Sequence, residues 1–355
     1  MTVFRRIVAL AVFVPAAAPA QGGACHAMRA SLTPVSWNVP MPSAVANVPA
    51  GPLRVVRDYP LPGPPNRFDY QSFDPASGRL YINHMNAGRL VVFDVRSGKL
   101  IAEVADLPRA TGVLAVPSHR AVVVSAAGNH EVAIIDDRTL TVTTRVTGIR
   151  FPDGIGYAPE VDKLFVSDES GAAEVVIDAR TMAKRSTIDL GGEAGNTHYD
   201  SVSHCVLVAV QTRNQLVAID PVTERIVRRY DLPGSDHPHG FVIDQPGRLA
   251  FISCEGNAKL LVVDLRTMRV LATHAVGDGP DVLAWDASWR RLYVASESGV
   301  LSAFKAGGSA LQLLGEYRAA HSHTVAVDPE THRVYLPLEN IGGQPVLRVL
   351  APASP

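Results

Sequence analysis

The chain has 355 residues, a formal net charge of −1 and 47% hydrophobic residues. The near-neutral charge excludes a protein that grips nucleic acid through a basic excess. No apolar run beyond the N-terminus is long enough to cross a bilayer, which excludes an integral membrane domain.

Residues 1–20 predict an export signal. Arg5 and Arg6 give a basic start, Ile7 to Val14 an apolar stretch, and Ala18-Pro19-Ala20 a small-residue cleavage site. Cleavage there yields a periplasmic or secreted protein. Residues 21–52 are rich in Ala, Pro and Ser, lack a sustained period, and read as a disordered leader. The residues before Cys25, Gly22-Gly23-Ala24, lack the aliphatic side chain expected ahead of a lipidated cysteine. Cys25, Cys205 and Cys254 are odd in number, which is read as excluding an internal disulfide framework and leaves two structural cysteines and one, Cys25, in the leader. No Cys-x-x-Cys-His occurs, so covalent c-type haem is excluded.

Residues 53–355 carry one uniform pattern and read as a single domain. Val91-Val92-Phe93-Asp94 recurs as Ala133-Ile134-Ile135-Asp136, Val175-Val176-Ile177-Asp178, Val217-Ala218-Ile219-Asp220 and Leu261-Val262-Val263-Asp264. Short β-branched runs such as Arg79-Leu80-Tyr81-Ile82 precede each copy, entered through turns such as Asp74-Pro75. Four strands per repeat of just over forty residues predict β-propeller blades, and the runs are too short for a helical repeat. Seven repeats fit the length. The last supplies only three strands, and Leu53-Arg54-Val55-Val56 is a spare strand that can complete it. The predicted fold is all-β: a seven-bladed propeller with a three-plus-one closure that removes two free sheet edges.

With Tyr293-Val294-Ala295-Ser296 and Phe165-Val166-Ser167-Asp168 after Asp-Pro-type turns, the chain resembles the YncE-like, YVTN-repeat propellers of bacteria. The resemblance covers the chain beyond residue 53. It implies the propeller fold, and it leaves both binding and enzymatic roles open.

Two series run through the repeats. Stepping from Asp69 gives Thr111, Asp153, Gly195, His239, Asp281 and His323; sixteen residues later stand Met85, Ala127, Glu169, Gln211, Glu255, Glu297 and Glu339. The first strand of a propeller blade lines the central channel. Hairpin symmetry therefore predicts that Asp153 faces Glu169, His239 faces Glu255, Asp281 faces Glu297 and His323 faces Glu339, all at one channel mouth. Carboxylates and imidazoles so placed suit a divalent cation: Zn or Mn for a mixed set, Ca or Mg for carboxylates alone. Two residues before the first series, His237-Pro238-His239 and His321-Ser322-His323 predict pairs of imidazoles on one side of an extended strand. Such pairs would also admit copper. Arg67 and Arg109, at equivalent rim positions, are candidates with Asp69, His237 and His321 for holding a small anionic ligand. His239 and His323 are the candidate catalytic groups. His84 and His130 read as solvated loop residues and His198 as structural. No phosphate-binding Gly loop, dinucleotide fingerprint or nucleophile elbow is present.

The expected function is an exported, monomeric binding propeller for a small molecule or a periplasmic protein, with a divalent metal at the channel mouth. The alternative is a metal-dependent hydrolase, lactonase or lyase acting on a small anionic substrate, similar in plan to gluconolactonase-type propellers.

Overall fold

The computed structural model describes residues 25–26, 51–308 and 310–353. The expected signal and most of the expected leader lie outside them. Seven four-stranded antiparallel sheets follow one another along the chain. Blade 1 is built from Gln71–Asp74, Arg79–His84, Arg89–Asp94 and Lys99–Val104. The first strands of blades 2 to 6 are Ala110–Val116, Pro152–Ala158, Ala194–Asp200, Pro238–Asp244 and Pro280–Asp286. Blade 7 takes Ala326–Val327, Val334–Ile341 and Gln344–Pro352 from the C-terminus, and Leu53–Pro60 from the start of the domain.

The strand sequences fit their depth in the ring. Second strands pack on neighbours at both faces, so Ala121–Ala126, Cys205–Val210 and Leu249–Cys254 are buried at every position. Outer strands such as Ala183–Asp189 are exposed for most of their length and carry the charged residues. The aspartate that ends the third strand of blades 1 to 5 has a local task. The carboxylates of Asp94, Asp136 and Asp178 accept amide N–H bonds from residues two and three further on, closing the turn into the outer strand. Lys305 occupies that position in blade 6, and there the hairpin is longer, with strands Val300–Gly307 and Ala310–Arg318.

Closure is visible in the core. Buried apolar residues form seven clusters, one for each interface between adjacent blades. The cluster holding Leu80, Val91 and Phe93 of blade 1 with Tyr335 and Leu347 of blade 7 joins the two ends of the ring. Leu53–Pro60 pairs antiparallel with Gln344–Pro352, and Arg348 makes a two-pronged ion pair with Asp58 across that seam.

The cysteines correct the sequence expectation. Cys25 is bonded to Cys205, with Cα atoms 4.8 Å apart, and the amide of His26 donates to the carbonyl of Ser203 at 2.8 Å. An odd count leaves one thiol over without forbidding a bond. The thiol left over is Cys254, buried between blades 4 and 5.

Candidate functional site at one channel mouth

The residues of the first series sit where each first strand enters the channel, and the strand is irregular there. Pro152 pairs with Asp168 and Ile155 with Val166, so Asp153 and Gly154 together oppose one residue, Ser167. The same β-bulge recurs at Thr111–Gly112, Gly195–Asn196, His239–Gly240 and Asp281–Val282. It exists because the neighbouring blade comes very close. A Cβ on Gly112 would lie 1.9 Å from the carbonyl oxygen of Asp153, and one on Gly240 would lie 1.8 Å from that of Asp281. Buried serines on the second strands lock the contact: Ser125 Oγ donates to the Asp153 carbonyl at 2.7 Å, and Ser253 Oγ to those of Gly240 and Asp281 at 2.9 and 3.1 Å.

The backbone register differs from the predicted facing pairs. The amides of Glu169, Glu255 and Glu297 bond to the carbonyls of Phe151, His237 and Gly279, two residues before the expected partners, one of them from the ladder beside the turn and one from the bulge. Glu297 turns to Arg67 at 2.7 Å instead of facing Asp281. Glu169 accepts from Gln211 at 3.2 Å. Glu339 lies 3.9 Å from His321, while His323 approaches Asp69 at 3.7 Å. His239 and Glu255 meet as expected, with Nδ1 and Oε1 2.5 Å apart, and Asp153 and Glu169 share the cavity wall, the charge of Glu169 helping to raise the Asp153 pKa.

The His-x-His geometry fails for a related reason. His237 and His321 have φ of 50° and 59°, so neither is extended, and their side chains turn outward with half or more of their surface exposed. His237 pairs with Asp236 at 2.8 Å. The four histidines therefore share no site, and the copper reading loses its basis. His84 is also misjudged as solvated: it is buried and stacked on Phe68, with ring centres 4.0 Å apart.

The channel brings other residues together across the ring. His239 Nε2 lies 3.2 Å from Asp153 Oδ2, and its Nδ1 lies 3.4 Å from Asp281 Oδ1. Both imidazole nitrogens thus face carboxylates, an arrangement that needs both to be donors. The charges of Glu255, Asp281 and Asp153 overcome the opposing effect of burial and raise the His239 pKa to about 10. Burial pushes Asp281 up to about 7, and Asp153 stands well above its ordinary value for the same reason, reinforced by Asp69 and Glu169. Burial opposes ionisation of Glu255, but its bond to His239 holds the pKa low. His239 is therefore the cluster's own counter-ion.

His323 is different. It is 2% exposed, and its Nε2 has no hydrogen-bond partner. The nearest carboxylate oxygen, Asp69 Oδ1, is 3.7 Å away, too far for a hydrogen bond. One ligand atom each from Asp69, Asp281 and His323 lie within 4.8 Å of one another, and so do atoms from His239, Glu255 and Asp281.

Asp69, Asp153, His239, Glu255 and Asp281 line a cavity of about 520 Å³, and His323 lies behind its wall, against Asp69. Its wall also holds Arg67, Arg109, Met85 and Phe151, with the Arg109 guanidinium 4.9 Å above the Phe151 ring. Sequence reasoning missed Tyr70. Its hydroxyl lies 3.4 Å from Asp281 Oδ1, and burial among carboxylates holds its pKa well above the ordinary value. A signal was present: blades 2, 3 and 5 have Gly112, Gly154 and Gly240 at the position that Tyr70 fills.

No protein-family profile and no curated protein matches the chain. Solved structures do. A chain of Kuenenia stuttgartiensis hydrazine synthase superposes with a TM-score of 0.69 at 16% identity, covering 81% of this chain and 96% of its own. The structure of U3-55K gives 0.70 at 10% identity, covering 83% and 98%. At these identities the likeness is one of fold.

Proposed function

We propose that this chain is an exported, YncE-like binding propeller that holds a divalent cation at one channel mouth through Asp69, Asp281 and His323. The observation that carries the reading is the stranded Nε2 of His323. A buried imidazole nitrogen without a partner is costly. Its 3.7 Å separation from Asp69 Oδ1 is too long for a hydrogen bond but close to the roughly 3.0–3.8 Å between two ligands of one ion. One imidazole and two carboxylates suit Zn or Mn better than Ca or Mg. The second group, His239 with Glu255 and Asp281, is already satisfied by the imidazolium and serves as its electrostatic support. Arg67 and Arg109 on the cavity wall give a small anionic ligand a place beside the cation.

The Cys25–Cys205 bond supports export, because such bonds persist in oxidising compartments. It also supports a mature protein that begins between residue 20 and Cys25 and carries no lipid on that thiol. On this reading residues 21–52 are a leader tethered at one point, and the propeller acts as a monomer.

Elemental analysis after native purification tests the proposal. One equivalent of metal is expected, absent from His323→Ala and Asp281→Asn variants, with a thermal midpoint that falls on chelation and returns on re-addition of Zn or Mn. A protein without metal, whose midpoint responds to neither chelator nor Zn, Mn, Ca or Mg, would sink it.

A second reading, metal-dependent hydrolysis of a small anionic ester or lactone, is favoured by one feature. His239 holds a proton beside the cation position, as general acid–base chemistry requires. Turnover of such substrates by the metal-loaded protein, lost in His239→Gln with metal retained, would select it over simple binding.

A further inference from the structure

The inner side of blade 7 carries the shortest ladder in the ring. The first strands of blades 2 to 6 have 7 residues each and pair with their second strands up to the acidic mouth, as Pro238 does with Cys254 and Pro280 with Ser296. In blade 1 the ladder runs on past the start of its strand. The Asp69 amide donates to the Asn83 carbonyl at 2.9 Å, and the Asn83 amide to the Tyr70 carbonyl at 3.1 Å. In blade 7 only Ala326 and Val327 pair, with Tyr335 and Val334, and residues 322–325 are not strand.

One residue accounts for the break. Two further rungs of this ladder would set Thr324 opposite Pro337, as Tyr70 stands opposite Asn83 in blade 1. Pro337 has no amide hydrogen to give the Thr324 carbonyl, and a proline inside a sheet removes a ladder bond. The chain nevertheless stays inside: Ser322, His323, Thr324 and Val325 are each at most 3% exposed. Among the described residues, the amides of His323, Thr324 and Val325 have no backbone hydrogen-bond partner. Buried amides of this kind are rare and costly. Three other contacts anchor the segment. The Ser322 amide donates to the Ala319 carbonyl at 3.2 Å, Gln71 Nε2 donates to Thr324 Oγ1 at 3.3 Å, and Val325 packs in the apolar cluster of blades 6 and 7.

His323 is carried on this segment, whereas Asp281 and Asp69 stand on laddered chain in blades 6 and 1. The three side chains come from consecutive blades that straddle the closure of the ring. We propose that the cation is a clasp on the inner segment of blade 7. Coordination by His323 together with Asp281 and Asp69 ties residues 322–325 to both neighbouring blades, and removal of the cation lets them open before any other inner strand. The inference rests on the cation reading above. A segment short of hydrogen bonds opens at low cost, and a ligand held only by the closed form makes its opening rarer by mass action. At a free cation concentration about a hundred times the dissociation constant, openings that release His323 become about a hundredfold rarer.

Hydrogen–deuterium exchange of the full chain, read by mass spectrometry with and without Zn or Mn, tests the clasp, with elemental analysis of the same samples. Without cation, peptides covering 319–327 should exchange faster than those covering Ala194–Asp200, the inner strand of blade 4, which supplies no ligand. With saturating cation the first should slow by at least about tenfold and the second by less than about twofold. Pro337→Ala returns an amide to the second strand and leaves every ligand in place. It should slow exchange of 319–327 without cation and shrink the cation's further effect. If that variant folds poorly by circular dichroism, the two measurements on the parent protein decide alone. One equivalent of bound metal without selective slowing of 319–327, or slow exchange there before cation is added, would overturn the clasp and leave the cation reading standing. No bound metal would overturn both.

Discussion

Glu174 shows what burial does to a single ionisable residue in this ring. It lies fully inside, on the third strand of blade 3, and its carboxyl meets only the Thr197 hydroxyl, at 2.9 and 3.1 Å. Desolvation holds its pKa well above the ordinary value, so the folded protein binds this proton more tightly than the unfolded chain does. The sign follows: folding binds a proton, and stability from this group is complete below about pH 4 and is lost as pH rises. Glu174→Gln keeps an acceptor for Thr197 and removes the charge. It should raise the unfolding free energy at pH 8 by about 1–3 kcal/mol, with a smaller gain at pH 5. Urea melts at the two pH values check this, and an unchanged pH slope would refute the buried-acid reading. His323 and His239 make the same point about legibility. The repeat marks both as equivalent channel positions, but only their surroundings separate an imidazole ringed by three carboxylates from one whose Nε2 has no hydrogen-bond partner.

At the level of the element, the bulge decides which side chains meet. The ladder beside the hairpin turn pairs Asp286 with Arg291 and Leu283 with Val294, and carried on undisturbed it would set Asp281 opposite Ser296, one residue short of Glu297. The extra residue at each bulge breaks that symmetry and re-aims the side chains. The glycines inside the bulges were legible as letters but not as a reason, since the atom each one avoids belongs to the next blade. Gly240→Ala should therefore push Asp281 and its strand away and destabilise the fold by about 2–4 kcal/mol. Gly307→Ala is the control: no atom lies within 4 Å of its Cβ position, and the change should be within about 0.5 kcal/mol of neutral. Thermal melts of the two variants side by side measure the difference. Equal midpoints would mean that the blades part easily at the bulge.

Across the whole molecule two devices hold the ring. One is the seam between Leu53–Pro60 and Gln344–Pro352, which pairs the outer edge of the C-terminal strand and makes Leu53–Pro60 the outer strand of blade 7. The other is the Cys25–Cys205 bond, which spans 180 residues of sequence. A loop of that length restricts the unfolded chain by up to about 5 kcal/mol in the chain-entropy account. The double change Cys25→Ser with Cys205→Ser should lower the denaturation midpoint by several degrees, and reductant should do the same to the parent protein. A double variant as stable as the parent would show that the bond constrains little.

The sequence by itself determined the repeat, the number of blades, the strand that closes the ring and the mouth at which acidic and imidazole groups gather. These follow from local patterns: apolar runs of strand length, an aspartate that closes each turn, and a period carried from blade to blade. The tertiary structure decided the rest. His239 meets Asp153 from a position 86 residues away, His323 approaches Asp69 rather than Glu339, and Cys205 finds Cys25. Those contacts depend on the radius of the closed ring and on bulges set by the neighbouring blade. Neither quantity is written in the period of any one repeat.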